Sequence, residues 1–340
     1  MSETTQEALH VIVAADFSDE IMQQLRSISD RFEIERHFPE VPDSVFAEAE
    51  ILYTIRHFPE PEQAPRLRWI QLHSAGVEHT LHRPIVQAED IEVTSASGIH
   101  ATPIAEYCVG MMLAFMYQIP RMMRLKAQAK WPDNQYDIFK PHGLRGLTVG
   151  IVGYGSIGRE VARIADAFGM IVLATKHNLA HLRDDEGYIE PGTGDPTGDI
   201  PERLYPPEAL ASMARDCDFL VVATPMTETT RHLIDETILQ QMKNSAVLIN
   251  IARGDVVDEA ALISALAAEQ IGGAALDVFS EEPLPSTSPL WNLDNVIMSP
   301  HVSGNNTRYH ERAAALFYEN LRRYIEKRPL LNRINRGRGY

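Results

Sequence analysis

Three short stretches, far apart in the chain, carry side chains of the kinds that carbonyl chemistry uses. They are "NIARGDVVDEAAL" with Arg253, "ALDVFSEEPLP" with Glu282 and "SPHVSG" with His301. A guanidinium is a planar fork that can bridge two oxygens. An imidazole titrates near neutrality and can pass a proton, and a neighbouring carboxylate would orient the ring and favour its charged form. Taken singly, each has a plainer reading: a salt-bridged arginine, a solvated glutamate, a histidine at a strand end.

A fourth stretch, "TVGIVGYGSIGREVARIADAFG", has an apolar strand, then Gly153-x-Gly155-x-x-Gly158, then a helix with Ile157, Val161, Ile164 and Phe168 on one face. In that order the first glycine allows a tight turn, the second lets a pyrophosphate approach the backbone, and the third lets helix and strand pack closely. The loop residues Tyr154, Ser156 and Ile157 belong to the same expected cradle, the amides of Ser156 and Ile157 facing phosphate at the positive helix end. About 20 residues further on, this motif places an acid that accepts from the adenosine ribose. Here "VLATKHN" puts Lys176, followed by His177, 18 residues after Gly158. A cation cannot accept those bonds but can pair with a 2′-phosphate. The expected cofactor is therefore NADP(H), with NAD(H), bound while Lys176 points into water, as the alternative.

What must position these groups is legible in the alternation of the chain. "LHVIVAAD", "EIMQQLRSI", "ILYTI" and "RWIQLHSAGV" suggest a parallel sheet flanked by helices. A second series runs through "LTVGIVG", "DFLVVATP", "AVLINIARG", "GGAALDVF" and "NVIMSP", five expected strands. Between the two series, Thr102 is placed to cap a mostly apolar helix with Pro103 at its first position. The last stretch repeats Ala314, Phe317, Leu321 and Tyr324 at helical spacing, so the chain's end is expected to return to the first domain. The segment from Asp184 to Pro207, dense in Pro, Gly and Asp, is expected to hold neither helix nor strand, and reads as a solvated excursion, a lid or a dimer arm.

Composition narrows the partners. With 31 Lys and Arg against 47 Asp and Glu, the net charge of −16 would repel nucleic acid. The run from Cys108 to Tyr117 is about half the roughly 20 residues of a membrane span. The N-terminal stretch reads as no secretory address. Two cysteines in apolar surroundings suggest buried thiols and a reducing cytoplasm. No Cys/His cluster or HExxH spacing supports a metal site.

Together with "VVATPMTETTRHLI", the glycine loop and the "ARG", "EEPLP" and "SPH" stretches resemble the D-isomer-specific 2-hydroxyacid dehydrogenases, a family that includes glyoxylate/hydroxypyruvate reductases and phosphoglycerate dehydrogenases. The likeness covers most of the chain from about Ser74 onward and is weaker before it. It implies an α/β fold of two Rossmann-like domains, with a dinucleotide-binding domain (102–301) inserted into a discontinuous, flavodoxin-like substrate domain (1–101 plus 302–340). It also implies catalytic roles for Arg253, Glu282 and His301. Arg253 would hold the carboxylate and ketone of a 2-oxo acid and favour the negative charge that hydride leaves on oxygen. His301 would donate the proton that completes the alcohol.

Further positions follow from the resemblance alone. Ala75, Gly76 and Val77 are similar to the loop for the substrate carboxylate, which Arg253 and His301 also touch. Thr224 and Pro225 match the turn under the adenosine, Ile251 and Ala252 precede the arginine beside the cofactor, Asp277 matches the residue for the nicotinamide amide, and Gly304 lies near the same ring. Tyr53, Arg56 and Trp291 are candidates for substrate selection. The resemblance further implies a homodimer, and hydride transfer in a cleft that closes against water. The sequence departs from the family pattern at Thr175–Lys176 and in the long 184–207 segment. Two other activities fit the same fold: a dinucleotide-sensing binding protein, as in corepressors related to the family, and a phosphite- or formate-type dehydrogenase.

Overall fold

The computed structural model describes residues 8–77, 79–184 and 187–337. It divides into two compact units, one of Met1–Ile99, Glu186–Tyr188 and Asn306–Tyr340, the other of His100–Asp185 and Ile189–Asn305.

The first unit holds a five-stranded sheet of β1 (Leu9–Ala14), β2 (Phe32–Arg36), β3 (Ile51–Thr54), β4 (Trp69–Leu72) and β5 (Glu92–Thr94), in the order β2-β1-β3-β4-β5 with every pair parallel. This is the flavodoxin order. Strands covered on both faces need near-continuous apolar runs, and Val11, Val13, Ile51, Leu52 and Ile70 are indeed shut away from solvent. Helix Tyr309–Ile325 lays Phe317 against the rings of Tyr53 and Trp69, at centroid distances of 4.8 and 5.5 Å. Tyr53 is fully buried, with its hydroxyl 2.5 Å from His73 Nδ1. That removes it from the substrate-selecting candidates, because a side chain enclosed by its own core touches no ligand.

The second unit holds seven parallel strands: β6 (Thr148–Val152), β7 (Ile171–Thr175), β8 (Arg203–Tyr205), β9 (Phe219–Val222), β10 (Val247–Asn250), β11 (Gly273–Leu276) and β12 (Val296–Met298). Their order, β12-β11-β10-β9-β6-β7-β8, is the doubly wound arrangement with one added strand. The five-strand expectation for this series falls short by β7 and β8. The apolar helix, Ala101–Met116, begins one residue before Thr102 and is preceded by His100. Thr102 does not cap it; its hydroxyl donates to Glu190 Oε2 at 3.2 Å.

The segment from Asp184 to Pro207 departs from expectation. It ends in β8, which pairs with β7, and its described part is pinned to helix Ser156–Ala167. Tyr154 donates to Asp195 Oδ2 at 2.6 Å, and the amides of Gly198, Asp199 and Ile200 also donate to that carboxylate. Arg159, 1% exposed, stacks on the Tyr154 ring and donates to the carbonyls of Asp195 and Leu182. Buried Glu160 accepts from the Gly194 amide at 2.6 Å. These two charged side chains of the helix anchor an ordered insertion.

Asp195 carries a testable consequence. Burial pushes its carboxyl up, but the Tyr154 hydroxyl and the three amides outweigh burial and hold it below the usual carboxylate range. A carboxyl lowered on folding adds stability that is full above the unfolded-state value of 3.8 and is lost as pH falls through the lower folded value. Asp195→Ala is expected to lower the unfolding free energy by about 2 kcal/mol near neutrality, where its donors are left unpaired. In urea titrations the gap between variant and wild type should narrow below about pH 4; a gap constant with pH would contradict the assignment.

Candidate functional site

The second sheet reverses its winding between β6 and β9, and in open α/β sheets ligands sit at that point, beyond the carboxyl ends of the strands. The glycine loop leaves β6 there, and Ala223 and Thr224 leave β9. Gly153 has φ +101°, and a Cβ on it would lie 3.0 Å from the Ala223 carbonyl oxygen and from Thr224 N. A Cβ on Gly158 would lie 2.3 Å from the Gly153 carbonyl oxygen. At Gly155, by contrast, a Cβ would meet nothing within 4 Å among the described residues. Two glycines are thus required by packing against the chain itself, while the middle one borders open space. The first amides of helix Ser156–Ala167, those of Ser156 and Ile157, have no acceptor within the helix. This cradle fits a dinucleotide pyrophosphate.

The expected adenosine side lies at the end of β7. Thr175 Oγ1 accepts from the Gly153 amide at 3.0 Å, and the Lys176 amide donates to the Tyr205 carbonyl at 3.0 Å, so β8 fixes the backbone of the lysine. Lys176 is half-buried, and burial, with the Arg159 guanidinium nearby, pulls its pKa below the usual lysine value, partly countered by Asp184. His177 is exposed. Pro225 is exposed, and its carbonyl accepts from the Thr230 hydroxyl at 2.7 Å. The Tyr154 side chain faces the insertion, which leaves only its backbone on the loop. Ile251 and Ala252 are buried at 6% exposure, and the Ala252 amide is engaged by Asn250 Oδ1 at 3.1 Å.

The three side chains expected to be catalytic lie on the loops after β10, β11 and β12. Arg253 follows β10 in extended conformation, its carbonyl accepting from Asn250 Nδ2 at 3.1 Å. Gly254, next to it, is pressed so closely on Phe279 that a Cβ would lie 1.9 Å from the Phe279 carbonyl carbon. Phe279 in turn donates its amide to Glu282 Oε1 at 3.0 Å, and Glu282 Oε2 is 2.8 Å from His301 Nδ1. The backbone carrying Arg253 is thereby stacked on the turn that carries the carboxylate, and the carboxylate meets the imidazole. His301 stands at φ +53°, a left-handed conformation that costs a non-glycine residue about 1–3 kcal/mol and clusters at functional sites. Its side chain is 49% exposed, so the ring is open to a reactant.

Asp277, 1% exposed, binds this turn: its Oδ1 accepts from Ser299 Oγ and the Val302 amide, its Oδ2 from the Ser303 amide. Gly304 follows, its carbonyl oxygen 3.2 Å from His100 Nδ1. Ser299 and His100 were not among the expected site residues. Their only sequence signal is adjacency, Ser299 two residues before His301 and His100 before a helix.

In the first unit, Ala75 and Gly76 are half-buried and Val77 is 2% exposed, in a turn after β4 where Ser74 Oγ donates to the Gly76 carbonyl at 2.8 Å. Arg56 is exposed. Trp291 is 54% exposed, with its Nε1 donating to the Pro285 carbonyl at 2.9 Å. Among the described residues no group of three metal-binding side chains occurs, and no helix is long and apolar enough to cross a membrane.

A doubly wound sheet with a phosphate cradle at its switch point, and an arginine loop stacked on a histidine–carboxylate pair beyond the same strand ends, defines an oxidoreductase that uses a nicotinamide dinucleotide. The family model described as "D-isomer specific 2-hydroxyacid dehydrogenase, NAD binding domain" matches residues 109–303, and the chain belongs to that family. It is similar to a glyoxylate reductase of Thermofilum pendens, 34% identical over 262 residues, covering 76% of this chain and 72% of the relative. It is also 34% identical over 240 residues to an (S)-sulfolactate dehydrogenase of Chromohalobacter salexigens, covering 69% and 71%. A D-isomer specific 2-hydroxyacid dehydrogenase of Xanthobacter autotrophicus, solved in complex with NADPH and MES, superposes with a TM-score of 0.76 at 26% identity, over 98% of this chain and all of the other. The protein is thus an NAD(P)-dependent oxidoreductase that interconverts 2-oxo and 2-hydroxy acids.

Proposed function

We propose that the physiological substrate is a small 2-oxo acid such as glyoxylate or hydroxypyruvate, reduced to the D-2-hydroxy acid with NADPH preferred over NADH. The observation that carries the site assignment is the 2.8 Å contact between His301 and Glu282, made by a histidine held in left-handed backbone. When bound, the reduced nicotinamide supplies the hydride. Glu282 engages Nδ1, which leaves Nε2 as the ring nitrogen that delivers the proton to the forming alkoxide. Arg253 offers its fork to the carboxylate and ketone oxygens, where negative charge grows. Ala75, Gly76 and Val77 keep their proposed role toward the substrate carboxylate, with their amides as donors.

The test is loss of NADPH or NADH absorbance on addition of a panel of 2-oxo acids. Turnover of glyoxylate or hydroxypyruvate supports the reading. Tight dinucleotide binding with no turnover of any acid would mean a sensor.

The same reading includes a homodimer in a reducing cytoplasm. Two observations support it: both cysteines are buried and free of disulfide, and Tyr117, Ile119, Met122, Met123, Trp131 and Tyr136 lie exposed within one stretch of chain, Trp131 at 84%. Large apolar side chains left exposed are candidates for covering by a partner where they form a contiguous patch. A Trp131→Glu, Met123→Glu double variant is expected to run at the 38.1 kDa of a single chain in light scattering, against twice that for the wild type. A wild-type mass of 38.1 kDa would remove the dimer assignment, and a variant that stays at twice that mass would remove this surface as its interface.

A further inference from the structure

Asp277 binds the His301 turn from two sides: its carboxylate collects Ser299 Oγ at 2.6 Å, Val302 N at 2.8 Å and Ser303 N at 2.9 Å, and its carbonyl accepts the His301 amide at 2.9 Å. A left-handed histidine persists only when its surroundings over-determine it, and these four bonds contribute to that, beside the Ser299 carbonyl that also accepts the His301 amide at 3.0 Å and the Glu282 contact. One of them extends further. Tyr107, on helix Ala101–Met116, places its hydroxyl 2.7 Å from Ser299 Oγ. Ser299 has one proton and spends it on Asp277, so in the contact between the two hydroxyls Tyr107 is the donor. The chain Tyr107 to Ser299 to Asp277 therefore has a fixed direction, and such chains strengthen cooperatively. Burial pushes the Tyr107 phenol up to about 12, against the smaller lowering effect of Ser299, so it keeps the proton that the chain needs.

We infer that Ser299 and Tyr107 are positioning residues for His301: they fix the Asp277 carboxylate and, through it, the left-handed turn that brings the imidazole to Glu282. Neither residue reaches the reacting atoms in this role. The inference rests on the proposed assignment of His301 as the proton donor.

A bond to a charged carboxylate at this position is expected to matter by about tenfold in kcat. Ser299→Ala should lose that factor, with the KM for glyoxylate and the Kd for NADPH each changed by less than about threefold, because Asp277 keeps its bonds from the Val302 and Ser303 amides. Ser299→Thr, which restores the hydroxyl, should recover kcat to within about twofold, and Tyr107→Phe should fall between the two. An unchanged kcat in Ser299→Ala, a Thr variant as slow as the Ala variant, or a loss confined to NADPH binding would each overturn the inference. A second readout needs no turnover: the Nδ1 proton of the His301–Glu282 pair, followed by NMR. It should be sharp and far downfield in wild type and Ser299→Thr, and broadened in Ser299→Ala. If it is the same in all three, the inference falls even though the enzyme is active. If it broadens as expected in a protein that turns over no 2-oxo acid, the positioning stands and the proposed function falls.

Discussion

His301→Ala is expected to slow reduction of glyoxylate by on the order of 10² to 10⁴, the range that a positioned acid contributes. Its side chain is half exposed and its partner Glu282 keeps a second bond to the Phe279 amide. Little packing is lost, so circular dichroism and thermal unfolding should stay close to wild type. Arg253→Ala should cost about 10² to 10³, as removal of a preorganised donor does at a site of developing charge. The two losses should not multiply when combined, because both groups act on the same transition state. Glu282→Gln keeps the Phe279 bond through its carbonyl oxygen and should show a smaller loss than His301→Ala. Full activity in either alanine variant would exclude this site as the place of reaction.

Lys176→Asp is expected to move the ratio of Kd for NADPH to Kd for NADH by about 10²-fold toward NADH. It replaces a cation that can pair with the 2′-phosphate by an anion that repels it and accepts from the ribose. The wild-type ratio should itself depend on pH. Because burial and Arg159 hold Lys176 below the usual lysine range, its charge is lost at a lower pH than that of a solvated lysine, and NADPH preference should fade as alkaline pH is approached. A ratio unmoved by the substitution would make the lysine a bystander and leave NAD(H) as the natural cofactor.

The parts of the molecule that sequence makes legible are those coded locally. The glycine loop is one continuous stretch, and the structure gives two of its glycines the contact expected of them, Gly153 against Thr224 and Gly158 against the Gly153 carbonyl, while Gly155 borders open space. Glu282 and His301 were nameable because each sits in a short distinctive string. The strands β2 and β8 were not visible in the same way. "FEIER" exposes three of its five residues as charges at the edge of the first sheet, and β8 is three residues long behind a run of Pro, Gly and Asp.

What pattern cannot show is a partner chosen by the fold. Arg159 and Glu160 are buried by the insertion, and nothing in the helix's own sequence names the carbonyls and the amide they bond. Tyr53 read as a pocket residue until the aromatic core enclosed it. The chain from Tyr107 through Ser299 to Asp277 joins residues from three segments, the first two 192 positions apart, and no local spacing announces it.

The most direct measurement is the fate of the hydrogen itself. NADPH carrying deuterium at both C4 positions of the nicotinamide is mixed with hydroxypyruvate and the wild-type protein, and the product is analysed for label and configuration. Arg253 and the Glu282–His301 pair acting on a bound 2-oxo acid require deuterium at C2 of the D-hydroxy acid, appearing on the order of 10² to 10⁴ more slowly in the same mixture with His301→Ala. Product without label, or label in the L-isomer, would contradict that chemistry.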